Sequence, residues 1–242
     1  MPNEETTPQE GVRINKYISS SGFCSRREAD TYVERGVVTV DNVIAVNGTK
    51  VMDGQVVRIE GKPILPDEDY CYIALHKPVG ITCTTDRRDK DNVIDYLQYG
   101  KRIFPIGRLD KNSSGLLLLT NNGDIVNKLL RAEGGHDKEY VVEVDHQIDD
   151  GFVKKMTSGI PLRELDAVTL PCEVTITGKC TFRIVLHQGL NRQIRRMCEY
   201  MGYRVIRLKR VRILNITLGS LPVGEMRNLT AKEVHDLLRL IS

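Results

Sequence analysis

The residues best suited to chemistry lie in Gly107-Arg108-Leu109-Asp110-Lys111-Asn112-Ser113-Ser114-Gly115, which runs straight into four leucines, Leu116 to Leu119, and Thr120. An Arg-Leu-Asp sits in a turn-rich loop between Pro105 and an apolar run that reads as a buried strand. Catalytic side chains concentrate on such loops, because the strand fixes position and the loop gives access. A carboxylate beside a cation is held ionised, as a reactive one must be at neutral pH. The same letters also spell an ordinary turn, in which Asp110 bonds its own backbone and Ser113, Ser114 and Gly115 complete the reversal. The rest of the chain separates the two readings.

A second concentration of functional side chains comes late. Between Arg192 and Arg212 there are eight cations (Arg192, Arg195, Arg196, Arg204, Arg207, Lys209, Arg210 and Arg212) against one acid, Glu199. The net charge of +3 is too small to mark a polyanion binder, so the placement of charge carries more than its sum. A positive run also reads as a solubilising face. Taken singly, the other candidates are equally plain. Tyr140 opens a valine-rich strand and reads as packing. Arg195 on a basic helix reads as a solvated charge or a phosphate contact, and Lys77 before Pro78 as a strand-end charge.

Six cysteines are scattered without a Cys-x-x-Cys pair or a histidine at zinc spacing, which argues against a metal site and a disulfide framework. No basic stretch followed by an apolar one opens the chain, and no apolar run approaches the roughly 20 residues needed to span a bilayer. These features predict a soluble, cytoplasmic protein with no membrane partner. Hydrophobic residues make up 40% of the 242, enough for a real core. Trp is absent, so base stacking would fall to tyrosines, Phe104, Phe182 or arginine planes.

The elements that must position these groups follow from pattern. Residues 1–11 carry almost nothing apolar and read as a disordered tail. Ile14, Tyr17 and Ile18 repeat at helical spacing until Gly22; Ser25 with Glu28 three residues on marks a second helix start, ending at Gly36. Residues 37–40, 43–46 and 56–59 read as strands, with turns at Asn47-Gly48 and Asp53-Gly54. The module spans residues 12–62, and a Pro-rich, acidic stretch at 63–69 reads as a linker. Beyond it, strands are predicted at 72–75, 115–120, 139–144, 172–177 and 181–187. Helices are predicted at 92–99, 123–131, 149–158, 193–201 and 231–240, the last capped by Thr230 with Glu233. Strands and helices do not alternate, so residues 70–242 predict an α+β domain with mostly antiparallel pairing.

The motif Gly107-Arg108-Leu109-Asp110-x-x-Ser113-x-Gly115-Leu116-Leu117 resembles the central motif of the pseudouridine synthases. Leu75-His76-Lys77-Pro78-Val79-Gly80 resembles that family's Lys-Pro-x-Gly strand end. Lys138-Glu139-Tyr140 resembles its Lys-x-Tyr motif, and Gln188 to Met197 its late basic motif. Residues 13–59 resemble the S4 RNA-binding domain. Four motifs in order behind that module are similar to the RsuA-type ribosomal branch, with wording around Phe104-Pro105-Ile106-Gly107 like the RluF group.

The resemblance implies an enzyme that isomerises a uridine in RNA to its C-glycoside without cofactor or metal. The substrate it implies is most readily 23S (large-subunit) ribosomal RNA, with a tRNA uridine as the near variant. Asp110 would act as nucleophile at ribose carbon 1′ or as base at carbon 2′; the sequence leaves both routes open. Arg195 would pair with it through a planar fork. Tyr140 would stack on the uracil and could take the carbon 5 proton. Arg108 would lie along the RNA and help fill the gap left by the flipped nucleotide. Phosphate contacts would come from Lys77, Arg192, Arg196, Arg204, Arg207, Lys209, Arg210 and Arg212, and from Arg13, Lys16, Arg26 and Arg27 on the small module. The competing reading is a non-catalytic RNA-binding or ribosome-assembly protein; its expected sign, a replaced motif Asp, is absent. A monomer is the default.

Overall fold

In the computed structural model, which describes residues 11–130 and 135–242, the first strand, β1 (Val12–Arg13), leads directly into α1 (Ile14–Ser20). Ile14 and Ile18, one turn apart, are both buried and give α1 its inner face. α2 (Arg26–Glu34) starts at Ser25, where the Ser25 hydroxyl accepts the Glu28 N–H and the Glu28 carboxylate accepts the Ser25 N–H. It buries Ala29 and Val33 against the same core. Strands β2 (Val38–Val40), β3 (Val43–Ile44), β4 (Lys50–Val51), β5 (Val57–Ile59) and β6 (Lys62–Ile64) follow. β4 pairs with β1, and the others form a sheet in the order β3-β2-β5-β6.

The turns expected at Asn47-Gly48 and Asp53-Gly54 are present, and a further one joins β2 to β3 at Asp41-Asn42, both at positive φ (49° and 69°), as a two-residue hairpin requires. Two expectations shift. The strand expected over 43–46 stops at Ile44. Pro63, expected to open the linker, lies inside β6, where an edge strand tolerates its missing N–H. This first compact unit ends at Tyr70. All but Gly11 of the tail expected over 1–11 lies outside the described residues, as does Arg131 at the end of a predicted helix.

The second unit, Cys71–Ser242, is built around one sheet. In chain order its elements are β7 (Tyr72–Lys77), α3 (Val93–Leu97), β8 (Phe104–Ile106), β9 (Ser114–Thr120), α4 (Gly123–Leu130) and β10 (Lys138–Val144). Then come α5 (Phe152–Thr157), a hairpin of β11 (Pro161–Leu162) and β12 (Ala167–Val168), β13 (Glu173–Gly178), β14 (Thr181–Leu186) and α6 (Gln193–Tyr200). β15 (Val205–Ile213), β16 (Ile216–Thr217), β17 (Met226–Asn228) and α7 (Ala231–Leu240) complete it. The nine strands run β13-β14-β10-β15-β9-β7-β17, with β8 on β9 and β16 on β15. Among the named strands of the described residues, only the β15–β9 pairing is parallel. The fold is therefore the expected α+β arrangement with a mixed, mostly antiparallel sheet.

Leu116 to Leu119 are all buried because β9 is covered on both faces. Leu117 and Leu119 join Ile73 and Leu75 in one core, while Leu116 and Leu118 join Ile213 and Leu237 in another. Of the strands in this unit that the sequence reading missed (β8, β11, β12, β15, β16 and β17), β15 is the longest and lies at the sheet's centre. Its charges disguised it as a polar run. Across its ladder, Arg207 stands opposite Glu143 and Arg212 opposite Glu139, and such cross-strand opposite-charge pairs make charged residues compatible with a strand.

One glycine sets the position of the loop before β9. Gly115 has φ +110°, and a Cβ there would lie 2.2 Å from the Arg210 carbonyl oxygen. Only glycine lets β9 close on β15 at this point, opposite Arg210.

Candidate active site

The loop between β8 and β9 is tied down on both sides of Asp110. Leu109 is buried and its N–H donates to the Cys83 Sγ at 3.3 Å. The Lys111 carbonyl accepts the Gly80 N–H at 2.8 Å. The Ser113 N–H closes a turn on the Asp110 carbonyl at 3.0 Å. The turn is thus made by the backbone of Asp110, while its carboxylate is 32% exposed.

Two guanidiniums approach that carboxylate from the start of α6. Arg195 Nε lies 3.7 Å and Arg192 Nη1 3.9 Å from Asp110 Oδ2. The Arg195 side chain is only 9% exposed. Its Nη2 donates to the Asn112 carbonyl at 2.9 Å and the Ser113 hydroxyl at 3.1 Å, and its Nη1 to the Val205 carbonyl at 3.4 Å. With those donors committed, the buried Nε has no hydrogen-bond partner and is the one nearest Asp110. Burial, with Arg192 nearby, pushes the Arg195 pKa down, and Asp110 opposes the shift. Arg192 occupies the cap position of α6 in the left-handed region, at φ 52°.

Tyr140 stands on β10 opposite Arg210 of β15 and Ile184 of β14. The β10–β15 register shifts between Glu139 and Tyr140, and irregularities of this kind re-aim side chains beside active sites. Tyr140 is partly buried and packs against the cores on both sides of it. Arg108, Asp110, Lys138, Tyr140, Arg192 and Arg210 line a cleft of about 540 Å³. Arg195 braces Asp110 from behind that lining. Among the described residues no group of three or more His, Cys, Asp or Glu is placed to hold a metal ion. No helix among them is long and apolar enough to cross a membrane.

Two residues expected on phosphates are placed elsewhere. Lys77 is 0% exposed, and its ammonium donates to the carbonyls of Pro78 at 2.8 Å and Ile81 at 2.7 Å. Burial also lowers its pKa. Arg210 is 3% exposed, with Nε on the Leu116 carbonyl at 2.8 Å. Both side chains are buried: the Lys77 ammonium is held by loop carbonyls just beyond β7, and Arg210 by a carbonyl of β9. The rest of the basic run meets acids that the sequence had left far away. Arg196 pairs with Glu164, Arg204 with Asp145, Arg207 with Glu143, and Arg212 with Asp137 and Glu139. Arg204 and Arg207 keep side chains 78% and 82% exposed. Lys209 is half-buried, and Arg108 is exposed at the cleft rim. On the first unit Arg13, Arg26 and Arg27 are exposed and Lys16 is half-buried.

Three residues were given no role at the site by the sequence reading, although Ser113 and Lys138 stand in its motifs. Ser113 and Cys83 anchor the loop through contacts that join residues 82 and 26 positions apart, with no local signal. Lys138 did carry a signal: two residues before Tyr140 on one strand, it shares that residue's face.

The mixed sheet thus places a loop carboxylate, Asp110, in the wall of this cleft, with Arg192 beside it and Arg195 behind. The fold is shared with a solved pseudouridylate synthase at a TM-score of 0.69, covering 93% of this chain and 99% of that one at 24% identity. The RNA pseudouridylate synthase family matches residues 71–200. Over 236 residues the chain is 52% identical to the dual-specificity RNA pseudouridine synthase RluF of Escherichia coli K12, covering 97% of this chain and 81% of that protein. It is 35% identical over 235 residues to the ribosomal large subunit pseudouridine synthase B of Bacillus subtilis, covering 94% and 96%. The chain belongs to the pseudouridine synthase family, in its RsuA/RluF branch, and is an RNA-modifying isomerase.

Proposed function

We propose that this synthase isomerises a uridine of large-subunit ribosomal RNA, with Asp110 as the group that reacts with the sugar. The observation that carries the reading is Asp110 in the cleft wall, with Arg195 and Arg192 within 4 Å of one carboxylate oxygen. The uridine is flipped out of its helix, at a cost of about a few kcal/mol. Its uracil stacks on Tyr140 and its ribose lies over Asp110. The carboxylate attacks carbon 1′ or removes the carbon 2′ proton; either way the glycosidic bond to N1 breaks. The base turns and carbon 5 bonds to carbon 1′, which displaces the carboxylate on the first route and is matched on the second by return of the carbon 2′ proton from Asp110; the carbon 5 proton is then lost, with Tyr140 as its acceptor, and N1 takes one up. Arg195 fixes the carboxylate, and Arg108 lies along the RNA.

Ribosomal RNA as substrate is supported by the name of the Bacillus subtilis relative, a large-subunit enzyme. A second RNA, with a tRNA uridine the first candidate, is supported by the word dual-specificity in the name of the Escherichia coli relative. Residues 12–62 serve as an S4-like RNA-binding module: Arg13, Arg26 and Arg27 are exposed there. Arg192 in the cleft wall and the exposed Arg204 and Arg207 offer further phosphate contacts, on a protein that works as a cytoplasmic monomer.

The test is release of label from RNA carrying tritium at uracil carbon 5. The native protein should release it from large-subunit RNA. Asp110→Asn should bind that RNA as before and lose turnover by at least about 10³-fold. Turnover by the Asn variant at a native rate would end the reading.

A further inference from the structure

We propose that Lys138 is a second catalytic residue, whose ammonium holds the detached uracil as an oxyanion with Arg210 supporting it from inside the sheet. This rests on the reading of Asp110 and Tyr140 just given and extends it to the leaving group.

The charge inventory of the cleft leads there. Asp110 already faces two cations, Arg195 and Arg192. Lys138 and Arg210 also line the cleft, and no carboxylate among the described residues forms an ion pair with either. Lys138 donates to the His136 carbonyl at 3.1 Å. Arg210 holds the Leu116 carbonyl through Nε and, more loosely, the Arg108 carbonyl through Nη1 at 3.4 Å, while its buried Nη2 has no partner. Two neighbouring cations with no ion-paired carboxylate are costly in a protein interior, and an arriving anion relieves the cost. Burial and the Arg210 charge push the Lys138 ammonium below its ordinary range, with Asp137, itself paired to Arg212, only partly opposing the shift.

Position selects the anion. Lys138 and Tyr140 are two apart on β10, so they stand on one face, and Arg210 is the cross-strand partner of Tyr140. A ring stacked on Tyr140 therefore has this pair of cations beside it, while the sugar and its phosphates lie toward Asp110. When the bond from carbon 1′ to N1 breaks, the electron pair leaves with uracil, and its charge spreads to the ring oxygens. Donors aimed at a developing oxyanion in a water-poor cleft are worth far more than the same donors in water. Lys138 donates a hydrogen bond and keeps its proton; the proton lost from carbon 5 and the one gained at N1 balance without it.

The experiment measures, on the full chain, RNA affinity across a salt series and the single-turnover rate at saturating enzyme. Lys138→Met should leave affinity and salt slope as in the native protein and slow the single turnover by about 10²- to 10³-fold, the loss typical of one oxyanion donor. Lys138→Arg, which keeps the charge, should recover most of that rate. Matching unfolding curves would exclude misfolding as the source, and recovery by the Arg variant makes the same point independently. Weaker binding with a salt slope reduced by roughly 0.7 to 0.9 and a native saturated rate would instead make Lys138 a phosphate contact and overturn the proposal. A native rate and affinity for Lys138→Met would overturn it too. Asp110→Asn, run alongside, separates the two levels: if it is inactive while Lys138→Met is not, the leaving-group assignment fails and the site stands.

Discussion

Asp110 works through the company it keeps. Its loop is a turn, but a turn whose flanking residues are pinned by Cys83 and Gly80, with a buried guanidinium behind it. The weak point of that arrangement is Ser113, 1% exposed and one of the acceptors that hold Arg195. Ser113→Ala should leave a buried cation one partner short and cost about 1–3 kcal/mol of stability. Because the change also loosens Arg195 against Asp110, the single-turnover rate should fall while RNA affinity stays native. Chemical denaturation and a saturated-rate assay check the two halves. The motif letters announced Asp110, since a carboxylate in a strand-flanking loop is visible in one dimension. The partners of Arg195 were not visible, because Asn112 and Ser113 lie more than 80 positions from it.

At the scale of elements, local signals were read well wherever one segment contained its own explanation. Both capping boxes, at Ser25 and Thr230, form as their letters require. The second gains a partner from elsewhere. Arg227 of β17 donates to both carboxylate oxygens of Glu233 at 2.8 and 2.7 Å, which with the Thr230 N–H brings the Glu233 pKa down to about 2. A carboxyl whose pKa is lower in the folded chain than unfolded stabilises above its ordinary value and loses that contribution as pH falls through the folded one. Glu233→Gln should thus cost about 1–2 kcal/mol at neutral pH. In urea titrations the difference from the native protein should hold down to about pH 4.5 and shrink steadily below it. β15 shows the opposite case. Its arginines became legible as a strand only when β10 supplied Glu139 and Glu143 across the ladder.

For the whole molecule, the late basic run carries less free charge than its count suggests, because acids from β10 and its neighbours neutralise much of it. Exposed ion pairs of this kind add little stability, so their effect lies in where positive potential remains. On the first unit, Arg26 and Arg27 are exposed at the start of α2. Replacing both with alanine should weaken RNA binding and reduce the salt slope by roughly 0.7 to 0.9 for each phosphate left unneutralised. Chemistry at saturating enzyme should be untouched. Filter binding at several salt concentrations, paired with single-turnover rates, tests this.

The chain's letters alone determined the two-part organisation, the α+β class, and the loop that carries Asp110. Each of these is written in short-range periodicity, capping or an unbroken motif. Tertiary structure added Arg192 to the Arg195 that the resemblance had already set beside that carboxylate, and decided which cations are buried in the sheet and which are cancelled by acids. The reason is that burial and charge pairing depend on distances in space, and a central strand such as β15 brings together residues that sequence separation hides.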